Sequence, residues 1–336
     1  MNNELKIEVV DRCILCGATS PREDSRFYRL LGLKVPYGVV KCRECALRWL
    51  SPRPTADRYR ELYRYENYFD GERAVERYAS LACARRPYFA QRIQCVERLF
   101  TGPGKLKLLD VGAATGEFVV EATRRGHDAN GIELSEGARE AAYSFYGIHL
   151  HGGELSDYAP CTFDVIHMNH VLEHMPDPSQ TLRECYHLLR QGGVLIIEVP
   201  QQFDNVLECI QYAFGLKRPA FNLYSLHHTY FFRAHHVRVL LDQAGFRTLR
   251  LATANLAYTP LWPFSLKNAS LAALLYLSDV LSSSGNIIEA YACKAEDLGK
   301  DTGDDCLCRI NGKSQENTCA TPQHARGNLP LNAYHR

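Results

Sequence analysis

The apolar positions of the chain change texture three times along its length. Up to residue 55 they come in short alternating runs, Lys6 to Val10, Val39 to Lys41 and Leu47 to Leu50, each of strand length. Ser51 to Pro54 then reads SPRP, and prolines two apart forbid a continuing helix or a central strand, so a domain boundary is expected there. Over residues 56–100 the apolar positions recur at three and four among arginines and tyrosines, which predicts a helical bridging segment. From Leu106 to about Lys294 strand-length apolar runs alternate with amphipathic helices. That alternation predicts a mostly parallel sheet with helices on both faces.

The runs in the third region can be assigned one by one. LKLLDVG is the first strand, followed by a helix from Glu117 to Arg125; DANGIEL is the second, followed by the helix SEGAREAAYSFY; IHLHG is a short third. TFDVIHM is the fourth strand, with a helix from about Ser179 to Leu189, and GGVLIIEV is the fifth. The helix HHVRVLLDQAGF stops at Gly245, and RTLRLATA and NIIEAYAC complete a seven-stranded Rossmann-like sheet. Between the last two strands lies an insertion, Asn255 to Gly285, whose SLAALLYLSDVL stretch is read as a helix packed on the sheet, with a cap or a membrane-surface helix as alternatives. The domain organisation is therefore 1–55 a small N-terminal unit, 56–100 a bridge, 101–296 the α/β domain and 297–336 a polar tail expected to be disordered.

Composition narrows the function classes. No run reaches the length of a membrane-spanning helix and the N-terminus lacks a secretory apolar core, so a cytoplasmic protein without a transmembrane segment is expected. A formal net charge of +1 gives no electrostatic reason for a nucleic-acid partner. The oligomeric state leaves no signature in the sequence.

Of thirteen cysteines, four form two CxxC pairs, Cys13/Cys16 and Cys42/Cys45. Two such knuckles on a hairpin supply the four thiolates of a tetrahedral zinc site, with no open position for catalysis. A structural Zn2+ holding a small zinc ribbon together is the expectation, since so short a segment has little core of its own. Iron, redox chemistry or free thiols are the alternatives.

LLDVGAATGEF places a strand, a glycine-containing turn and a helix start in succession, so that the backbone at Gly112 and Gly116 can approach a ligand. Glu133 ends the next strand, where a carboxylate can accept both ribose hydroxyls of a nucleotide; a solvated strand end is the alternative. Taken with CILCG, VVKCRECALRWLSPRPT, LYRYENYFDG, FDVIHMNHVLEHMPDP, LRQGGVLIIEVPQ and HHTYFF, the chain resembles the class I S-adenosylmethionine-dependent methyltransferases, specifically the zinc-ribbon branch that includes deoxysugar methyltransferases. The resemblance covers residues 13 to about 293.

It implies S-adenosyl-L-methionine as cofactor. Asp110, Gly112, Ala113 and Gly116 would line its methionine and ribose end, Glu133 with Leu134 would meet the ribose, and Glu154 and Leu155 would frame the adenine. Asn169 and His170 would lie beside the methionine portion, and Tyr65 and Tyr68 would fold over the cofactor. Ala114 stands where the family usually has a glycine, and the third strand ends in Gly152-Gly153-Glu154 without an aspartate.

Methyl transfer to a hydroxyl needs alignment and removal of one proton, a task suited to a histidine. His170, His174, His227 and His228 all fall on the loops after the fourth and fifth strands. In related sugar enzymes an acid-His pair precedes an aromatic run; here that position reads His227-His228, so His228 is the candidate base and the acid is missing. The expected reaction is methyl transfer to a small-molecule acceptor, with a hydroxyl of a nucleotide-linked sugar or saccharide as the expected site. A zinc-ribbon rRNA methyltransferase and a non-catalytic nucleotide-binding interaction module are the rivals; NHVLEH in place of a base-methylating motif and the near-neutral charge speak against the first.

Overall fold

The computed structural model describes residues 6–24, 37–65, 87–100, 104–202, 228–254 and 285–295. Residues 255–284 of the expected insertion, the tail, Tyr68 and His227 lie outside these residues, as do residues 66–86 of the bridge.

The N-terminal part is built of short strands: β1 (Ile7–Glu8), β2 (Arg22–Glu23), β3 (Val39–Lys41), β4 (Arg48–Leu50) and β5 (Arg53–Pro54). Among the described residues β5 pairs with β1 alone, an edge position at which the missing N–H of Pro54 costs no ladder bond. Helix α1 (Ala56–Tyr65) follows, and residues 87–97 form a second helix, α2.

The larger part alternates as its sequence predicts: β6 (Lys107–Val111), α3 (Glu117–Arg124), β7 (Asp128–Ile132), α4 (Glu136–Tyr146), β8 (Phe163–Asn169), α5 (Pro178–Leu188) and β9 (Leu189–Pro200). β10 (Tyr230–Phe231), α6 (Ala234–Gln243), β11 (Phe246–Ala254) and β12 (Ile287–Lys294) complete it. The helix starts are locally encoded: Ser135 accepts the Ala138 N–H ahead of α4, and Asp177 accepts that of Gln180 ahead of α5, whose first residue is proline.

Strand order is β11-β12-β9-β8-β6-β7, with β6 through β9 parallel and β12 antiparallel to both its neighbours. Alternate residues face opposite sides. Leu108, Val165 and Ile196 pack with Phe89, Ile93 and Phe118 of α2 and α3, while Leu109, Ile166 and Leu195 pack with Leu182, Val237 and Leu240 of α5 and α6.

Two features depart from expectation. The sheet has six strands among the described residues, not seven, because IHLHG contributes a single bridge, Ile132 opposite His151. His151 bonds Gly131 and Glu133 through its backbone, and the chain then leaves the sheet edge at Gly152-Gly153, so no ladder propagates. Second, the HHTYFF run is not a loop over the sheet edge: β10 pairs antiparallel with β4, Tyr230 opposite Trp49, and becomes the outer strand of the β10-β4-β3-β2 sheet. Cys13, Leu15, Cys42, Leu47 and Trp49 share one apolar core with Leu172, Tyr230, Phe232, Val237 and Leu240. The N-terminal unit is thus fused to the α/β domain.

Candidate functional site

The turn after β6 is shaped by close approach. Gly112 (φ 68°) and Gly116 (φ 85°) are left-handed, and a Cβ would lie 2.5 Å from Val171 Cγ2 at the first and 2.4 Å from Ile148 Cδ1 at the second. Ala114, between them, also has positive φ, 49°. An alanine pays steric strain there that glycine avoids, so Ala114→Gly should raise stability by about 0.5–1 kcal/mol, the left-handed cost less the extra chain entropy of glycine. A thermal melt of the variant checks this.

Glu133 closes the turn from the next strand: Oε2 accepts the Ala114 N–H and Oε1 the Ser135 N–H, both at 2.8 Å. Burial pushes its pKa up, against the pull of these two donors. Each carboxylate oxygen accepts two hydrogen bonds, so the clamp leaves one acceptor position on each. That is the donor–acceptor demand of a vicinal diol. Beside it a cleft of about 270 Å³, counting space open to solvent, is lined by Phe89, Asp110, Gly112, Ala113, Ala114, Glu117, Phe118, His167 and Asn169.

A buried ionic network holds the wall of this cleft. The Arg92 guanidinium, on α2, donates to His167 Nε2 (2.8 Å) and to Asn169 Oδ1 (3.1 Å), pairs with Glu198 and Glu289, and contacts the Tyr88 hydroxyl, itself bonded to Glu198. Arginine can only donate, so His167 Nε2 accepts and its Nδ1–H donates to Asp110 Oδ1 at 2.7 Å. His167 is thereby neutral, in agreement with the lowering of its pKa by burial, and its ring stacks on Phe118 at 3.9 Å. Asp110 and Asn169 are held in place from behind. Charged residues inside an apolar strand run, as Glu198 in VLIIEVP, were the one sequence signal for this network.

The loop after β8 carries the histidines. His170 has positive φ (55°), and its ring lies between Glu198 Oε1 (3.1 Å) and Glu173 Oε1 (3.5 Å). Burial opposes its charge, but the two carboxylates outweigh it and raise its pKa to about 9. At neutral pH it is a cation. His174 and His228 are buried and meet edge to face, ring centroids 4.6 Å apart, and His228 Nδ1 lies 3.0 Å from Gln202 Oε1. The structure thus brings His170, His174 and His228 into one cluster around Glu173.

Of the other residues singled out in the sequence, Leu134 is half-buried beside Glu133, Leu155 is buried, and Glu154 is exposed, caps a short 3-10 turn and lies 3.4 Å from Arg60 Nε of α1. Tyr65 ends α1.

The two CxxC knuckles face each other, with Cys13 Sγ and Cys45 Sγ 3.5 Å apart, Cys16 Sγ and Cys42 Sγ likewise, and all four sulfurs within 4.8 Å of one another. Thiolates about 2.3 Å from a tetrahedral zinc stand about 3.8 Å apart, so the donor set fits. Gly17 and Ala46, each just past a knuckle, take positive φ. Against the effect of burial, the backbone N–H groups of Cys45 and Glu44 hold the Cys42 thiol at about 7.

Residues 82–251, half of the chain, match the model of a family described as a methyltransferase domain. Over 110 residues the chain is 30% identical to a ubiquinone biosynthesis O-methyltransferase of Pseudomonas entomophila, covering 30% of this chain and 47% of that protein. A Saccharophagus degradans protein of the same name is 31% identical over 121 residues, covering 32% and 46%. The chain thus spans about half the length of these curated relatives. Among solved structures, a SAM-dependent methyltransferase from Archaeoglobus fulgidus aligns over 62% of this chain and 94% of its own, at 17% identity and a TM-score of 0.44. A Mesorhizobium loti S-adenosylmethionine-dependent methyltransferase aligns over 59% and 95%, at 16% identity and a TM-score of 0.41. With the family model matched across the Gly112–Gly116 turn, Glu133 and the parallel strands β6 to β9, the chain belongs to the class I S-adenosylmethionine-dependent methyltransferase domain family.

Proposed function

We propose that the protein transfers a methyl group from S-adenosylmethionine to a hydroxyl oxygen of a small molecule. The observation that carries this reading is the Glu133 clamp, which leaves one acceptor position per oxygen for the two ribose hydroxyls beside the Gly112–Gly116 turn. Bound there, the cofactor supplies an electrophilic methyl on a good leaving group. Asp110 and Asn169, fixed by His167 and Arg92, present polar groups toward the methionine end, and Phe89 and Phe118 keep that wall apolar. Ala113, Leu134, Glu154 and Leu155 complete the cofactor side, and Tyr65 and Tyr68 are its proposed cover.

The acceptor sits, on this reading, against the loop after β8. His170 is already protonated, so the acceptor proton is handled by His174 and His228 with Glu173. Oxygen as the methylated atom accords with the O-methyltransferase names of the relatives; a sugar acceptor rests on the resemblance of HHTYFF and the knuckle motifs alone. The Cys13/Cys16/Cys42/Cys45 cluster is proposed to hold a structural zinc, in a ribbon spanning 1–55 ahead of a bridge (56–100), the methyltransferase domain (101–296) and the tail (297–336). Among the described residues no helix is long and apolar enough to cross a membrane.

Glu133→Ala should weaken S-adenosylmethionine binding by about 1.5–3 kcal/mol, the loss of hydrogen bonds to a charged acceptor, while Glu133→Gln, which keeps the oxygen toward one N–H, loses less. Calorimetric titration decides it. An unchanged dissociation constant in the alanine variant would make Glu133 a strap for the turn and nothing more.

A further inference from the structure

We infer that Glu173, His174 and His228 form a second metal site, for a first-row divalent transition ion, separate from the four-cysteine cluster. Their ligand atoms lie within 4.8 Å of one another, and all three side chains are buried. Ligands about 2.0–2.2 Å from a tetrahedral ion stand about 3.4 Å apart. His174 Nε2 lies 3.6 Å from Glu173 Oε1.

The carboxylate points to a cation. Glu173 is fully buried, and neither of its oxygens makes a hydrogen bond. His170 Nδ1 at 3.5 Å and His174 Nε2 at 3.6 Å are the imidazole nitrogens beside it, and neither contact has hydrogen-bond geometry. Buried carboxylates are normally satisfied by donors or by a metal. The His170 cation faces it from one side without bonding it, and His174 and His228 face it as imidazoles, which are metal ligands in the neutral form.

The surrounding shell orients the set. Gln202 Oε1 can only accept, so His228 Nδ1 carries the proton and Nε2 the lone pair, the tautomer a metal ligand requires. Backbone bonds fix the elements that carry the three residues: the Thr229 N–H donates to the Glu173 carbonyl (2.8 Å), and the Leu50 N–H donates to the Thr229 carbonyl (2.9 Å). His228 is thus set beside Glu173 and His174 by β10 pairing with β4. Two imidazoles and one carboxylate suit zinc, iron, manganese or cobalt over magnesium or calcium, which prefer all-oxygen sites.

A bound ion takes the imidazole lone pairs, so it replaces the base role given to His174 and His228 above; metal binding is measured on the protein alone and needs neither the methyl donor nor the acceptor. Full-length protein, stripped of metal and titrated with Co2+, should show a second equivalent lacking the intense thiolate charge-transfer band of a four-cysteine site. His228→Gln and Glu173→Gln should abolish that equivalent and leave any thiolate-bound cobalt in place. Gln202→Leu should weaken it about 10–100-fold, the usual effect of removing the partner of a ligating histidine. Circular dichroism on each variant separates loss of a ligand from loss of fold. Saturation with no cobalt outside the thiolate site, or a second equivalent bound equally well by folded His228→Gln and Glu173→Gln, overturns the inference whatever the fate of Glu133→Ala.

Discussion

Arg92→Ala should destabilise the protein by about 3–5 kcal/mol, the range for breaking a buried ion pair from one side. Arg92 and Glu198 are each 1% exposed, and the same guanidinium serves Glu289, His167 and Asn169, so its removal strands a carboxylate beneath the sheet edge. Urea unfolding gives the number. The paired substitution Arg92→Met with Glu198→Leu should recover part of the loss, because it removes both buried charges together while Glu289 keeps Arg250 and His170 keeps Glu173, each at 3.5 Å. The network also sets an acid limit. Burial pushes the Glu198 carboxyl up, but Arg92 and His170 outweigh it and hold it at about 2. A depressed carboxylate pKa contributes stability that is present above the ordinary value of 4.5 and is lost as pH falls from there toward 2. Wild-type stability should therefore decline across that window more steeply than that of the double variant. Equal slopes would mean that Glu198 titrates as an ordinary carboxylate in the fold.

What could be read from the sequence follows the range of the interactions involved. The knuckles, the Gly112–Gly116 turn and Glu133 lie within short segments whose residue types answer local demands: a thiolate pair, a positive φ, a strand-end carboxylate. The strand and helix order was legible for the same reason, since amphipathic period reports local burial. Arg92 with Glu198, 106 residues apart, and β10 with β4, about 180 apart, have no such local mark. The HHTYFF run shows the consequence. Its three consecutive aromatics suit a strand buried on both faces, and the sequence suggested a sheet-edge loop presenting His228; the partner that makes it a strand is Trp49 and Arg48 of the N-terminal unit. The third strand failed in the opposite way. Ile148, Leu150 and the bridge at His151 have strand character, but Leu150 and Ile148 are spent covering Gly116, and only one ladder position remains.

That pairing makes the proposed zinc matter beyond its own cluster. Cys42→Ser, or stripping the metal with a chelator, should unfold the knuckle region, for which structural zinc in comparable small domains supplies about 10–16 kcal/mol of apparent binding free energy at neutral pH. The damage should spread along specific bonds. Cys45 carbonyl accepts from His236 Nε2 of α6, Leu15 carbonyl accepts from Gln243 Nε2, and Arg53 donates to the Tyr230 hydroxyl and the Pro176 carbonyl. Losing β4 frees β10, and with it Thr229 and His228 from their place beside Glu173. The Glu133 clamp stands at the end of the edge strand β7 and the Gly112–Gly116 turn follows β6, and neither shares any of these bonds. Zinc loss should therefore lower the melting temperature and abolish methyl transfer to the acceptor, yet leave S-adenosylmethionine affinity unchanged by calorimetry. Hydrogen exchange should report opening at residues 39–54 and 228–232 together. If Cys42→Ser melts and exchanges like the wild type, the four cysteines are not a structural zinc site; if donor affinity falls in step with turnover, the two halves of the site are coupled through the sheet and not through the β4–β10 pair.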